Sequence, residues 1–186
     1  MMNTQDRRVR KTKKAISDAL ISLLQHKQLR HITIKELTDT ADIHRATFYV
    51  HYKDVYDLYE QIENAAVAEL SSILMSDETH SYENLYSVLI EYIFANADLY
   101  KTLLNSSTDT SFRDRITAVL EDCYLKIWVY EDKITEVTDE MRFLTAYNVQ
   151  GCHAIINKWF ELNCSYSKDM IAKLLKRVND NFDYLT

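Results

Sequence analysis

The chain has 186 residues, of which 47% are apolar and 27% charged, a composition that suits a soluble protein with a buried core. One glycine and no proline disfavour folds built from tight turns and strands, so we expect an all-α fold with long helices. The formal net charge of -6 excludes a uniformly basic protein that coats nucleic acid.

Charge is distributed unevenly along the chain. Residues 1–53 contain 11 Lys and Arg against 5 Asp and Glu, whereas residues 54–186 contain 11 against 23. A basic segment ahead of an acidic one predicts two domains, 1–53 and 54–186, of which the first meets a polyanion. A charged, solvated N-terminal arm explains the basic residues equally well at this point.

Membrane insertion, secretion and cysteine chemistry are disfavoured. No apolar run reaches the ~18 residues of a transmembrane helix, and the charged residues 1–14 are unlike a signal peptide. Cys123, Cys152 and Cys164 lie far apart without CxxC spacing. We expect reduced, mostly buried thiols in a cytoplasmic protein, with a metal site or a reactive thiol as the less favoured alternative.

The N-terminal segment is predicted to begin with two helices. One is expected to begin near Thr12, with apolar residues from Ile16 to Leu24 on one face. The second begins after Thr33, which stands three residues before Glu36 at the spacing of a capping box, and ends near Ala41.

A turn and two further helices complete the N-terminal pattern. Asp42 and Ile43 form the turn, because Asp tolerates a left-handed backbone better than most residues. A third helix covers His44–His51, with Phe48 directed to the core together with Tyr52, and with Arg45, Tyr49 and Val50 directed outward. Asp54 is expected to cap a fourth helix that extends to Met75.

The rest of the chain also reads as helices separated by polar segments. Breaks are predicted at Ser76–Ser81 and Ser106–Ser111. The predicted helices are Tyr82–Asn96, Asp98–Asn105, Phe112–Tyr130, Asp139–Leu162 and Ser167–Asp183.

Three short helices with a tight turn before the third are typical of a helix-turn-helix, whose third helix fits the major groove of DNA. The stretch from Thr33 to Asp54, with its string Thr-Phe-Tyr-Val-His-Tyr at 47–52, resembles the DNA-binding domain of TetR-family regulators over roughly residues 10–60. A weaker resemblance to one TetR subgroup lies between Gly151 and Met170.

The resemblance implies DNA-contacting roles for individual residues. Arg45, Ala46 and Thr47 match positions that meet base edges, and Arg45 is suited to a bidentate contact with guanine. Tyr49 and His51 match positions that hold phosphates. The remaining candidates at the interface are Thr33, Lys35, His44 and Lys53.

Two departures from the family pattern bear on DNA binding. Asp42 stands where many members have Gly, which puts a carboxylate near the turn. Val55 stands where many have Lys, which removes a cation that Lys53 could replace. His44 is in addition a weak residue type for a helix N-cap.

The last two helices are predicted to form a four-helix dimer interface with a second copy, as the resemblance also implies. The apolar arc of Asp139–Leu162 covers more than half the circumference, and Gly151 allows a close helix approach. Burial within the protomer is the alternative. The candidate interface residues are Leu144, Gly151, Ile155, Trp159, Ile171, Leu174, Leu175 and Val178.

Thirteen tyrosines and two tryptophans add aromatic area with polar groups, which ligand pockets use. By resemblance, a cavity in the C-terminal domain binds a small hydrophobic or aromatic effector, although filling of the core explains each aromatic residue equally well. The candidate lining is Tyr86, Tyr100, Tyr124, Trp128, Phe143 and Tyr147.

The sequence therefore predicts a homodimeric, sequence-specific DNA-binding regulator. The resemblance favours a repressor released by an effector over an activator. The alternative is a helical coactivator or adaptor that has lost operator binding, which the Val55 departure favours. An enzyme is disfavoured because the chain has no Gly-rich phosphate loop, HExxH, GxSxG or clustered metal ligands, and no cofactor is expected.

Overall fold

A computed structural model describes residues 4–76, 79, 81–104, 111–131 and 133–180. The fold is all-α, and these residues form no strand. None of the described helices is long and apolar enough to cross a membrane. The α-helices are α1 (Thr4–Leu24), α2 (Ile34–Thr40), α3 (Arg45–His51), α4 (Val55–Leu74), α5 (Tyr82–Ala95), α6 (Ala97–Leu104), α7 (Ser111–Glu131), α8 (Asp139–Glu161) and α9 (Lys168–Asp180).

The chain forms two compact units, residues 1–66 and 67–186. Helix α4 begins in the first unit and ends in the second. The sequence predicted a domain boundary after residue 53, just before α4. The two compact units divide after residue 66, which lies inside α4.

The core of the first unit lies where α1 packs on α2 and α2 packs on α3. Its fully buried side chains are Ile16 and Leu20 from α1, Leu37 from α2, Phe48 from α3 and Leu58 from α4. These residues recur at helical spacing, so the apolar periodicity correctly predicted the buried face of each helix.

Helix α1 begins at Thr4, eight residues before the predicted start near Thr12. The prediction was wrong because it required an apolar face, and residues 6–11 are all exposed. Arg, Lys and Gln are good helix formers, so this segment continues the helix without contributing to the core. The extension carries cations on several sides, including Arg7, Arg8, Arg10 and Lys11.

In the second unit, α5 packs along α9 and α7 packs along α8. The largest fully buried side chains are Trp159, Tyr86, Tyr100 and Phe112. Predicted helix ends agree with the observed ends to within one residue for α5 to α8. The loop expected at 106–111 and the helix end expected at 181–183 fall largely outside the described residues, although Ser111 already begins α7.

Three of the predicted dimer-interface residues belong instead to the core of the protomer. Trp159 is buried, donates its indole N–H to the Tyr166 carbonyl oxygen at 3.0 Å and stacks on Phe94. Ile171 and Leu175 are buried on the inner side of α9. The correction follows from the extensive packing of α9 on α5, which uses the apolar face that had been assigned to a second copy.

Two of the residues predicted to line the pocket lie on the surface instead. Phe143 and Tyr147 are 77% and 66% exposed on the outer side of α8, so they do not line an interior cavity of the protomer. They stand at positions i and i+4, and Gly151 stands four positions after Tyr147. All three therefore lie close to one face of the helix.

Two of the three thiols and the one described histidine of the second unit are buried in uncharged states. Burial raises the pKa of Cys123 to about 11 and that of Cys152 to about 12, so neither is a thiolate at neutral pH. Burial lowers the pKa of His153 to about 4, and its Nε2 lies 3.0 Å from the Thr117 hydroxyl. Cys164 is half-buried, and burial raises its pKa as well.

Thr145 tests the packing of α8. Its side chain is 1% exposed, and its hydroxyl has no hydrogen-bond partner within the described part of the chain. Thr145→Val removes this unpaired group at nearly constant volume, so we expect the free energy of unfolding in urea to rise by about 1 kcal/mol. Thr145→Ser keeps the hydroxyl and loses a methyl group, so it should lower the same quantity by about 1 kcal/mol. Equal losses for both variants would show that the hydroxyl is hydrogen-bonded.

Candidate nucleic-acid interface

The turn before α3 is fixed by backbone hydrogen bonds and one left-handed residue. Asp42 has φ 52°, as the sequence predicted for this position. The Ile43 N–H donates to the Thr38 carbonyl oxygen at 3.1 Å, and the Asp42 N–H donates to the Asp39 carbonyl oxygen at 3.4 Å. This pair of bonds is the Schellman motif, which ends α2 sharply and sets the direction in which α3 begins.

Helix α3 rests on one aromatic side chain. Phe48 is fully buried, and its ring centroid lies 5.6 Å from that of Tyr52, which is also buried. Both residues are therefore core, as predicted. His44 is the N-cap and makes no side-chain capping bond, so α3 depends on the contacts of Phe48 rather than on its own cap.

The part of α3 that is open to solvent carries a basic and aromatic pair. Arg45 donates from Nη2 to the Tyr49 hydroxyl at 3.2 Å, and its guanidinium lies 5.7 Å from the centroid of the Tyr49 ring. Both residues are exposed, as is Ala46 between them. Thr47 and His51 are half-buried at the sides of the helix.

The start of α2 supplies polar groups from a second element. Thr33 is an exposed N-cap whose hydroxyl accepts a hydrogen bond from the Glu36 N–H at 3.2 Å, so the predicted capping position is confirmed. Its hydroxyl can still donate a hydrogen bond to an anion while it accepts this bond. Lys35 is exposed one residue inside the helix.

The start of α4 is closed by a reciprocal pair of hydrogen bonds. The Asp57 N–H donates to Asp54 Oδ1 at 2.9 Å, and the Lys53 N–H donates to Asp57 Oδ2 at 2.8 Å. The bond from the Lys53 backbone is the main reason why the pKa of Asp57 is lowered. Lys53 is exposed, whereas Val55 is buried, so Val55 is a core residue and offers nothing to a phosphate.

Two exposed features of this unit were not among the individual residues predicted for the interface. Val50 is 76% exposed on α3, which is more than the 49% of Tyr49. Its outward direction followed from helical spacing, but an apolar residue gave no signal for binding. The second feature is the basic extension at the start of α1, which is helical, whereas the first helix was expected to begin only near Thr12.

The second unit contains the candidate effector residues. Tyr86, Tyr100 and Tyr124 are buried and Trp128 is half-buried. The Tyr124 hydroxyl accepts a hydrogen bond from Asn148 Nδ2 at 2.8 Å and donates to Asn179 Oδ1. Burial is the main cause that raises the pKa of Tyr86 and that of Tyr100, so both phenols are neutral at physiological pH.

An open groove of about 870 Å³ lies elsewhere in the same unit, between the end of α7 and the start of α8. None of the six predicted pocket residues lines it. The lining is Asp122, Leu125, Lys126, Val129, Tyr130, Glu131, Lys133, Val137 and Arg142.

The known proteins that this chain resembles in sequence are transcriptional regulators. The family model TetR_C_8, described as a transcriptional regulator C-terminal region, matches residues 80–181. IcaR of Staphylococcus aureus, a negative transcriptional regulator of the icaADBC biofilm operon, is 24% identical over 162 residues, which are 84% of this chain and 86% of IcaR. YxbF of Bacillus subtilis, an uncharacterized transcriptional regulator, is 38% identical over 47 residues, which are 25% of this chain and 12% of YxbF.

Solved structures show the same fold. A TetR transcriptional regulator from Streptococcus agalactiae superimposes with a TM-score of 0.64 and 26% identity, covering 92% of this chain and 94% of that one. DhaS, an activator of a dihydroxyacetone kinase operon, superimposes with a TM-score of 0.66 and 22% identity, covering 90% and 93%.

Two substitutions at Asp42 separate the effect of its left-handed backbone from the effect of its charge. Asp42→Gly relieves the left-handed strain, so we expect the free energy of unfolding to rise by about 1 kcal/mol. Asp42→Asn keeps a residue type that tolerates this backbone and removes only the charge. Both variants should bind duplex DNA about two- to fivefold more tightly at low salt, because a carboxylate no longer faces phosphates.

Urea unfolding followed by circular dichroism, and fluorescence anisotropy with labelled duplex DNA, measure the two effects of the Asp42 variants. Unchanged affinity in both variants would show that the carboxylate lies away from the phosphates. An equal rise in stability for both would show that its charge, rather than the backbone, is what costs stability.

Proposed function

This chain belongs to the TetR family of transcriptional regulators and is a DNA-binding regulator, and we propose that it represses transcription as a homodimer that an effector releases. The observation that carries the proposal is the exposed Arg45–Tyr49 pair on α3, next to the buried Phe48 that anchors the helix. Repression, rather than activation, is supported by the description of IcaR as a negative regulator.

Each candidate contact has a separate task in the proposed complex. Arg45 binds guanine O6 and N7 in the major groove, after exchanging its bond to the Tyr49 hydroxyl for the base. Ala46 and Thr47 meet neighbouring base edges. The groups that hold phosphates and set the register of α3 are Thr33, Lys35, His44, Tyr49, His51 and Lys53.

Substitutions at Arg45 and Lys53 test the division between reading bases and holding phosphates. Arg45→Ala should cost about 1–3 kcal/mol per half-site on operator DNA and much less on unrelated duplexes. Lys53→Ala should weaken binding to all duplexes alike and reduce the slope of log K against log salt by about 1 per half-site.

The measurement is a salt series of anisotropy titrations on an operator selected from bound genomic fragments and on a scrambled duplex. Lys126→Ala, which removes an exposed lysine of the second unit, is the matched control and should leave both slopes unchanged. If Arg45→Ala left affinity and sequence preference intact, α3 would not be the reading helix.

Dimerisation is proposed through the outer side of α8 together with α9. Phe143 and Tyr147 form an exposed aromatic pair, and exposed aromatic area of this kind marks an interaction surface. Gly151 continues the same face. The half-buried residues that adjoin it in the proposed interface are Leu144, Ile155, Leu174 and Val178.

Gly151 provides the test of this interface. A Cβ atom added there meets no other atom within 4 Å, so the protomer accommodates a side chain. Gly151→Arg should therefore fold and convert the dimer to a monomer of 21.9 kDa in light scattering. The substitution should also weaken operator binding, because two linked DNA-binding units bind more tightly than one.

Two variants control for effects on the helix itself. Gly151→Ala should raise the free energy of unfolding by about 1 kcal/mol and preserve the dimer. Ala118→Arg places the same large cation at an exposed position of α7 and should also remain dimeric. A dimeric Gly151→Arg protein, or a wild-type chain that is a monomer at micromolar concentration, would overturn the proposal.

The proposed effector is a small, uncharged, hydrophobic or aromatic molecule. Support comes from the neutral phenols of Tyr86 and Tyr100, the hydroxyl of Tyr124 and the side-chain amides of Asn148 and Asn179. These groups give and accept hydrogen bonds but carry no charge. An effector releases DNA only if it binds one conformation of the dimer more tightly than the other.

A further inference from the structure

Two apolar residues of α3 are exposed beside its exposed polar pair. Val50 is 76% exposed and Ala46, one turn earlier, is exposed as well. A β-branched residue lowers the intrinsic stability of a helix, and here it gains no burial in return. The side chain therefore contributes nothing to the fold that a lysine or glutamate would not contribute better.

Two stripes run side by side along this seven-residue helix. Arg45 and Tyr49 form the polar stripe, and Ala46 and Val50 form the apolar one, because residues four apart share a face. A helix that inserts Arg45 into a groove necessarily brings the adjacent stripe close to the bases. A favourable contact of this stripe requires a base with an apolar surface.

Only thymine presents an apolar group in the major groove, its C5-methyl. Cytosine, adenine and guanine present polar atoms there, and these would be desolvated against valine without a hydrogen bond. Val50 lies about 7.5 Å along the helix axis from Arg45, which is about two base-pair steps of B-DNA.

We propose that Val50, with Ala46 beside it, reads the C5-methyl of a thymine that lies within about two base pairs of the guanine bound by Arg45. This inference rests on the proposed function, since α3 must lie in the major groove. It adds a specificity-determining residue and a required base to each half-site of the operator.

The test removes the methyl group alone. Each thymine of the selected operator half-site is replaced in turn by uracil, in both half-sites together, and affinity is measured by anisotropy at fixed salt. Burial of a methyl group is worth about 0.8 kcal/mol, so one replacement should weaken binding about fourfold per half-site. Uracil at the other positions should have little effect.

Protein variants assign the effect to Val50. Val50→Ala removes the contact from an exposed position, improves helix propensity and should bind thymine and uracil operators equally. Val50→Thr keeps one methyl group and should show an intermediate ratio of the two affinities. Tyr49→Phe is the control on the same helix, because it should weaken both operators alike and preserve the wild-type ratio.

The outcomes separate this inference from the proposed function. Sequence-specific binding with no sensitivity to uracil at any position overturns the reading by Val50 and leaves the function intact. The same holds if Val50→Ala keeps the full sensitivity. If no duplex is bound in preference to others, the proposed function fails, and the role of Val50 fails with it.

Discussion

The burial of Phe48 is the interaction on which the DNA-binding surface depends. A helix of seven residues is too short to persist by itself, and its N-cap His44 makes no capping bond. Fully burying one phenylalanine contributes about 1.5–3 kcal/mol, and α3 packs on α2, so tertiary contacts rather than intrinsic helix stability hold it in place. With Phe48 on the inside, helical geometry leaves Arg45, Ala46, Tyr49 and Val50 on the outside.

The distribution of charge reinforces this arrangement. The basic excess of residues 1–53 attracts phosphates, and the acidic excess of residues 54–186 is repelled by them. The chain as a whole is acidic, yet only its N-terminal part is drawn to DNA. Long-range attraction of this kind orients the protein before any specific contact forms, and it weakens as salt is added.

Much of the first unit could be predicted because side-chain chemistry fixes its helix ends. Thr33 and Asp54 each accept a backbone N–H at a helix start, and Asp42 adopts the left-handed backbone of the turn, so α2 to α4 were placed to within one residue. The start of α1 was missed because high helix propensity without an apolar face leaves no periodic signal. The outer surface of α8 could not be predicted, since a wide apolar arc does not reveal whether its own chain or a second copy covers it. Trp159 proved to face inward, and Phe143 and Tyr147 outward.

The separation of roles within α3 bears on how such a regulator changes over evolution. Phe48 is buried and anchors the helix, whereas the side chains proposed to read DNA, Arg45, Ala46 and Val50, are exposed. Replacements among the four outward positions therefore alter which promoters are bound at almost no thermodynamic penalty. Gene duplication can then yield paralogues with new targets through a few changes in one short segment, while the scaffold and its response to signals are inherited unaltered.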